Sequence, residues 1–451
     1  MSSTVENALP KRRLLRVLGL AFGLAVVVGE TVGVGIMRTS GPTAGRLMQP
    51  WLIYLVWLGV GIYVLMIADI FAELATAMPS AGGPYVYVRR AYGDYIGFIC
   101  GWSDYAVYVL AVGYLAIAAS EFLAEIWPGL RAFETPIATA SIVLVAGFNS
   151  LGLRASSTAQ QILSLLKVLM LAALVIAAFS YSGSPSHLSH VAPVIAGGAG
   201  FVAIVVSMQT VLEVYGGFNS PCYFSEETAH PDRTVPRALL LGVLLVLGIY
   251  LAVNAALLHL LSPLALGSSK LAAADALATA FGPSARTAVA IVALVATLCV
   301  LNACVLLAPR VLYGMGRDGL FISSGTYVTR QGVPLVGTWV SAAGAIVVAN
   351  IGGFDTLYTA AAFLNGCGFL LCAAALFTLR TREPDLRRPY RTFGYPWVPG
   401  LALLVSALML LAFVLGNTLP SLLAVAVVAV TYPIFKVVQR KRSQLQTPRS
   451  A

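Results

Sequence analysis

The sequence predicts an all-α membrane protein of twelve transmembrane helices, built as two inverted blocks of five with two more helices appended. Three observations predict it. First, 59% of the 451 residues are hydrophobic and only 10% are charged, whereas soluble domains carry about 25% charged residues. Second, a bilayer core of roughly 30 Å needs about 20 apolar residues per helix, and twelve such runs can be marked out. Third, the first and sixth runs are interrupted in the same way, by paired glycines with a glutamate among them.

In chain order the runs cover 15–48, 51–76, 94–124, 135–152, 158–180, 198–227, 237–261, 286–316, 334–353, 356–379, 397–415 and 419–437. The first, third, sixth and eighth are longer than one crossing needs, so they are tilted, broken or extended past the membrane. The last two form one apolar tract split at Gly416-Asn417-Thr418-Leu419-Pro420, a turn signal that makes them a hairpin. Residues 1–14 and 438–451 are left as short tails, around a first block at 15–180, a second at 198–379 and the hairpin at 397–437.

Charge sets the expected orientation. The net charge of +10 comes from short basic tracts between apolar runs, which suits cytoplasmic loops better than a nucleic-acid surface. With the N-terminus inside, only Arg38, Arg46, Arg131, Lys270 and Arg286 of the 28 Lys and Arg fall outside, and Lys167 lies mid-helix. Both termini are therefore expected to be cytoplasmic, in a plasma-membrane-type bilayer. Lys11, Arg12 and Arg13 precede an apolar run with no small-residue cleavage site, so no cleavable leader is expected. The six cysteines fall in or beside apolar runs, and the four histidines, including loop-like His187 and His190, lack metal-ligand spacing. No cofactor and no metal are expected.

The first interruption is GETVGVGIMRTSG, Gly29 to Gly41, and the second is LEVYGGFNSP, Leu212 to Pro221. In hydrocarbon each unsatisfied backbone group costs several kcal/mol, so helix-breaking sequence survives only where it lines a cavity. Matching breaks in two halves are the best sequence pointer to a midplane binding site. Since each break opens a block of five helices, an odd number, the second block must enter the membrane with the opposite orientation. A half-helix beginning after Gly35 offers backbone N–H groups and a positive dipole end to a carboxylate. Half-helices ending near Thr31 and Val214 offer carbonyls to an ammonium group or a cation. Together these suit an α-amino acid. The plainer reading is that Gly29, Gly33 and Gly35 only let helices pack closely.

Glu30 and Glu213 each stand three residues before a glycine, Gly33 and Gly216, at equivalent places in the two breaks. An ionisable residue within a span marks a functional site by default. Two roles fit both: pairing with a cationic substrate group, or carrying a coupled proton. A structural carboxylate held by unwound backbone is the alternative. Lys167, in QQILSLLKVLML, lies about two turns inside its helix, which favours internal pairing or proton linkage over snorkelling. Tyr215 and Phe218 flank Gly216-Gly217 and can close over a ligand or simply pack. Asn302, Cys304 and Asn365 are weaker candidates, since polar residues in spans more often bond helix to helix.

These motifs resemble the amino acid–polyamine–organocation superfamily of transporters, which share the inverted-repeat fold of the bacterial leucine transporter. GETVGVGI resembles the Gly-x-Gly-Ile motif of the family's first helix. ELATAMPSAGGPYVYVRRAYG (Glu73 to Gly93) resembles its connection between helices two and three. YGGFNSPCYFSEETAHPDRTVPRAL (Tyr215 to Leu239) is similar to its broken sixth helix and following loop. PRVLYGMGRDGLF (Pro309 to Phe321) resembles the end of its eighth helix, and RRPYRTFGYPWVPG (Arg387 to Gly400) the loop before its eleventh. The five stretches occur in the family's order along nearly the whole chain. The resemblance implies that a substrate carboxylate meets Gly33, Val34 and Gly35, and that an amino group meets the chain around Glu213 to Gly216. It implies that Lys167 occupies the place where relatives bind sodium, so that coupling is to protons or to exchange. Glutamates at 30 and 213 depart from the small or amide residue and the aromatic gate expected there, and point to a more cationic substrate or a proton carrier. No cysteine lies between Cys100 and Cys222, so no disulfide-linked subunit is expected.

The expected function is a secondary transporter of amino acids, with cationic amino acids or polyamines included, working by alternating access as a proton symporter or an exchanger. The alternatives are a substrate sensor of the same fold and a polytopic membrane enzyme. Against the enzyme, the chain has no GxSxG elbow and no phosphate-binding loop.

Overall fold

In hydrocarbon a backbone must satisfy its own hydrogen bonds, and the chain does so almost entirely as helix. The computed structural model describes residue 14 and residues 16–181, 198–269, 271–321, 323–416 and 418–446. Lys11, Arg12, Arg13, His187, His190 and Lys270 lie outside the described residues, as does the end of the chain from 447.

The helices are α1 (Leu20–Thr31), α2 (Val34–Leu47), α3 (Pro50–Ala77), α4 (Pro84–Tyr92), α5 (Asp94–Ile126), α6 (Glu134–Ser150), α7 (Leu153–Ser180) and α8 (Gly198–Val214). They continue as α9 (Pro231–Leu260), α10 (Pro263–Gly267), α11 (Ala272–Phe281), α12 (Pro283–Arg317), α13 (Leu335–Ile351), α14 (Phe354–Arg382), α15 (Trp397–Gly416) and α16 (Thr418–Gln446). Proline starts α3, α4, α9, α10 and α12, where its missing N–H and fixed φ cost nothing. Each of the twelve apolar runs coincides with a helix or, for the first, with the pair α1 and α2. Eight described helices are long and apolar enough to cross a membrane alone, and α1 with α2, bent by 46°, makes one more broken span.

Three features differ from the expected spans. The sixth run does not stay helical to 227: α8 stops at Val214, and two short 3-10 turns, Ser220–Cys222 and Ser225–Glu227, follow. Pro221 and the left-handed Gly217 (φ +95°) account for the stop. The connection at 262–282 holds α10 and α11, which are too short to register as spans. Finally, α16 runs on through 438 to Gln446, because the basic tail there is rich in good helix formers.

The core is apolar, as in a soluble domain, and the surface is apolar as well. Leu144, Leu165, Ile176, Leu408 and Leu415 are exposed on α6, α7 and α15, where lipid rather than water meets them. The buried centre is α5 against α12, with α14, α3 and α9 around them. One fully buried pair of charges meets the cost of burial by bonding to each other. Arg310 is bidentate to Glu227, at 2.5 and 3.0 Å, and lies over the Phe224 ring at 4.3 Å.

At one end of the bundle Glu73 of α3 accepts from Arg380 of α14, from Arg388 at 3.1 Å and from the Thr392 backbone at 2.7 Å. Asp69 accepts from the Phe393 backbone at 2.7 Å. The ELATAMPSAGG and RRPYRTFGYPW stretches thus close on each other. This layer ties α3 to α14 and to the segment that leads into α15.

Candidate functional site

The two interrupted segments meet. Helix α1 ends at Thr31, and α2 begins at Val34 after the extended Gly33, with no side chain capping the new N-terminus. Its first-turn N–H groups are left for another partner, and Gly33 and Gly35 lie on the wall of a cavity there. The cavity holds about 50 Å³, room for a few waters. Glu30, Glu213, Gly216 and Gly217 line it as well. Six of the nine residues expected in the site therefore share one cavity wall.

The carbonyl ends are held by two side chains. Lys167 of α7, fully buried, donates from Nζ to the Val28 oxygen at 3.0 Å and to the Gly29 oxygen at 2.8 Å. Tyr250 of α9 sets its hydroxyl 2.7 Å from the Thr31 oxygen and 2.6 Å from the Val214 oxygen. A single phenol proton thus serves the last carbonyls of both half-helices. Tyr250 was not singled out from sequence, since a tyrosine inside an apolar run has no distinguishing pattern.

Glu30 reaches across to the second break. The Ser220 hydroxyl donates to its Oε2, and its stem packs so closely on Gly217 that a Cβ there would fall 2.5 Å from Glu30 Cγ. Glu213 instead receives the Asn365 side-chain amide of α14 at 3.4 Å. One carboxylate is therefore locked between the breaks, and the other is held by a single long contact.

The glycines divide between the two readings. Gly29 is a packing glycine, because a Cβ would collide with the Gln160 and Ser164 side chains of α7. Gly33, Gly35, Gly216 and Gly217 are on the wall. The Val34 backbone opens α2, and its side chain is outside what is described. Tyr215 and Phe218 lie behind the wall rather than on it. Tyr215 donates to the Trp57 oxygen at 3.2 Å and meets the Tyr250 ring at 4.9 Å, while Phe218 packs between Phe71 and Phe369. Large rings in this turn fill the core between helices, and the aromatic wall is supplied by Tyr108, Tyr114 and Tyr358.

Among the weaker candidates, Asn302 is a helix-to-helix bond, bonded to Gln160 at 2.7 Å and to Asn149 at 2.9 Å. Cys304 and Asn365 are on the wall.

Two larger spaces flank the central cavity along α14. One, of about 510 Å³, contains Arg38, Arg46 and Asp355 and shares Gly35, Glu213 and Tyr358 with the centre. The other, of about 270 Å³, contains Asp104 of α5 and shares Asn219 and Asn365 with it. The centre is thus a constriction between two chambers, with Glu213 at one junction and the amides Asn219 and Asn365 at the other. Among the described residues no group of three or more His, Cys, Asp or Glu is placed to hold a metal ion.

Residues 15–435 match the amino acid permease family. The serine/threonine exchanger SteT of Bacillus subtilis is 27% identical over 423 residues, covering 92% of this chain and 93% of its own. The b(0,+)-type amino acid transporter 1 of Mus musculus is 24% identical, over 92% of this chain and 86% of its own. The branched-chain amino acid permease BcaP of Lactococcus lactis is 26% identical, over 84% of each.

Proposed function

The chain belongs to the amino acid permease family and is a multi-pass membrane transporter of amino acids, not an enzyme; from that premise we propose that it moves its substrate by sodium-independent alternating access at the cavity between the two breaks. The observation that carries the reading is the convergence of opposite polarities on one cavity. An uncapped helix N-terminus at Gly33 to Gly35 suits a carboxylate, and Glu213 and the α8 carbonyl end suit an ammonium group.

Lys167 supports independence from sodium. Its ammonium already sits against the Val28 and Gly29 carbonyls, so a second cation there would meet like charge. Coupling then falls to a proton, carried by Glu30 or Glu213, or to a second substrate molecule in exchange. The similarity to a serine/threonine exchanger supports exchange as one mode. The first and sixth spans, which carry the breaks and open the five-helix blocks 15–180 and 198–379, rock around the ligand, in a plasma-membrane-type bilayer with both termini cytoplasmic. The flanking chambers are the two access routes, the 510 Å³ one outward and the 270 Å³ one inward.

The test is uptake into proteoliposomes of a panel of radiolabelled amino acids and diamines, with and without a pH gradient and with sodium replaced by choline. Uptake or exchange of at least one amino acid without sodium is expected. A strict sodium requirement would overturn the role given to Lys167.

A further inference from the structure

Asp104 is a charged residue ten positions into α5, and nothing in the central site uses it. Its Oδ1 accepts from the Tyr223 hydroxyl at 2.7 Å. Its Oδ2 is sealed from solvent and has no hydrogen-bond partner. No Lys, Arg or His among the described residues lies within ion-pair distance of it. A carboxylate oxygen buried without a partner is costly, and in a membrane protein such a group marks a ligand path.

The space before it has a definite chemistry. The 270 Å³ chamber is walled by hydrocarbon from Ile99, Leu364, Leu371 and Val428, and Asp104 is its one charged residue. At the other end it opens on Asn219 and Asn365, which also line the central cavity. Asn219 donates to the Tyr223 hydroxyl at 3.4 Å, so a hydrogen-bonded relay runs from the central wall through Tyr223 to Asp104. An apolar passage that leaves a zwitterion site and ends at an unpaired carboxylate fits an alkyl chain with a terminal cation.

We infer that Asp104 is a specificity-determining residue that receives the side-chain ammonium of a diamino acid whose α-carboxylate and α-ammonium groups occupy the central cavity. This rests on the transport reading above and adds to it the substrate class. Tyr223 is a positioning residue: its hydroxyl occupies Oδ1 and leaves Oδ2 without a partner. Glu30 and Glu213 remain with the α-substituents and the coupling step.

The experiment compares L-lysine with L-norleucine, its analogue without the terminal amine, as substrates of the reconstituted protein. In Asp104→Asn the KM for lysine should rise about tenfold or more, while that for norleucine stays within about twofold. Asp104→Glu should recover part of the lysine affinity. Equal losses for both substrates would make Asp104 structural and overturn the inference. So would wild-type protein that transports norleucine and not lysine, while leaving the transport reading intact. Transport of neither would count against the transport reading first.

A second measurement needs no Asp104 variant. Cys367 lines the same chamber and is a free thiol. Lysine should slow its labelling by a thiol reagent, against a Cys367→Ala background, and alanine, whose side chain is too short to enter the chamber, should not. Equal protection by both, or by neither, would contradict the assignment.

Discussion

The two breaks carry the same sequence signature and build different structures. At Gly33 the chain leaves one helix and re-enters another within two residues, with φ at −127° and therefore no left-handed backbone. At Gly216-Gly217 it leaves α8 and does not re-enter a helix: Gly216 N–H bonds back to the Glu213 oxygen at 2.8 Å, Gly217 is left-handed, and 3-10 turns follow. The first break therefore supplies a fresh helix N-terminus, and the second a carbonyl end plus a packed turn. The glutamates differ in kind too, Glu30 locked against Ser220 and Gly217, Glu213 held by one long amide contact. A break is thus not a generic cavity feature; its polarity depends on whether helix resumes after it.

The largest effect expected from this contrast is at Gly217. Alanine there adds a Cβ 2.5 Å from Glu30 Cγ on a backbone with φ +95°, which costs about 1–3 kcal/mol from the backbone alone. A clear drop in melting temperature in detergent and loss of uptake should follow. Gly33→Ala has no such backbone strain and meets only the movable Val300 side chain, at 2.7 Å. It should fold near normally and lose uptake; if it destabilises more than Gly217→Ala, the contrast between the breaks is wrong.

Next come the side chains that hold the carbonyl ends. Lys167→Ala frees only the first break, and uptake should fall about tenfold or more, as expected for losing a buried charged donor. Tyr250→Phe touches both breaks through one proton, so a neutral bond is lost and the fall should be smaller, about threefold to tenfold. Initial rates at saturating and limiting substrate separate the two.

The smallest effect lies outside the membrane. Arg90 donates three hydrogen bonds to Glu383, at 2.7–3.1 Å, and holds its carboxyl below the ordinary value. A lowered carboxyl contributes stability above its unfolded pKa and loses it as pH falls through the folded value. Arg90→Gln should therefore lower the melting temperature slightly at pH 7 and make no difference once Glu383 is protonated. An equal effect at both pH values would remove the ion pair as the cause.

Much of this was legible because hydrocarbon is an unforgiving solvent. Twelve helical runs, both breaks, the two glutamates and the buried Lys167 follow from the cost of bare backbone and charge in a bilayer. The rest depends on partners far away in sequence. The inward packing of Tyr215 and Phe218 is decided by Trp57, Phe71 and Phe369. The bridge at Tyr250 depends on α9 crossing two helix ends at once. Asp104 was within reach, since the criterion that picked out Glu30 applies equally to a carboxylate ten residues into α5. The 3-10 path after Val214 was partly legible in Pro221, whereas α10 and α11 had no span-length signal to find.

The central claim is that both breaks grip one ligand. Equilibrium binding of the best-transported amino acid to purified protein tests it most directly, with Glu30→Gln and Glu213→Gln measured beside wild type. Each single variant should weaken binding by about tenfold, and Glu213→Gln should cost a neutral and a cationic substrate alike, since both carry the α-ammonium group. Wild-type affinity in both variants would contradict the account.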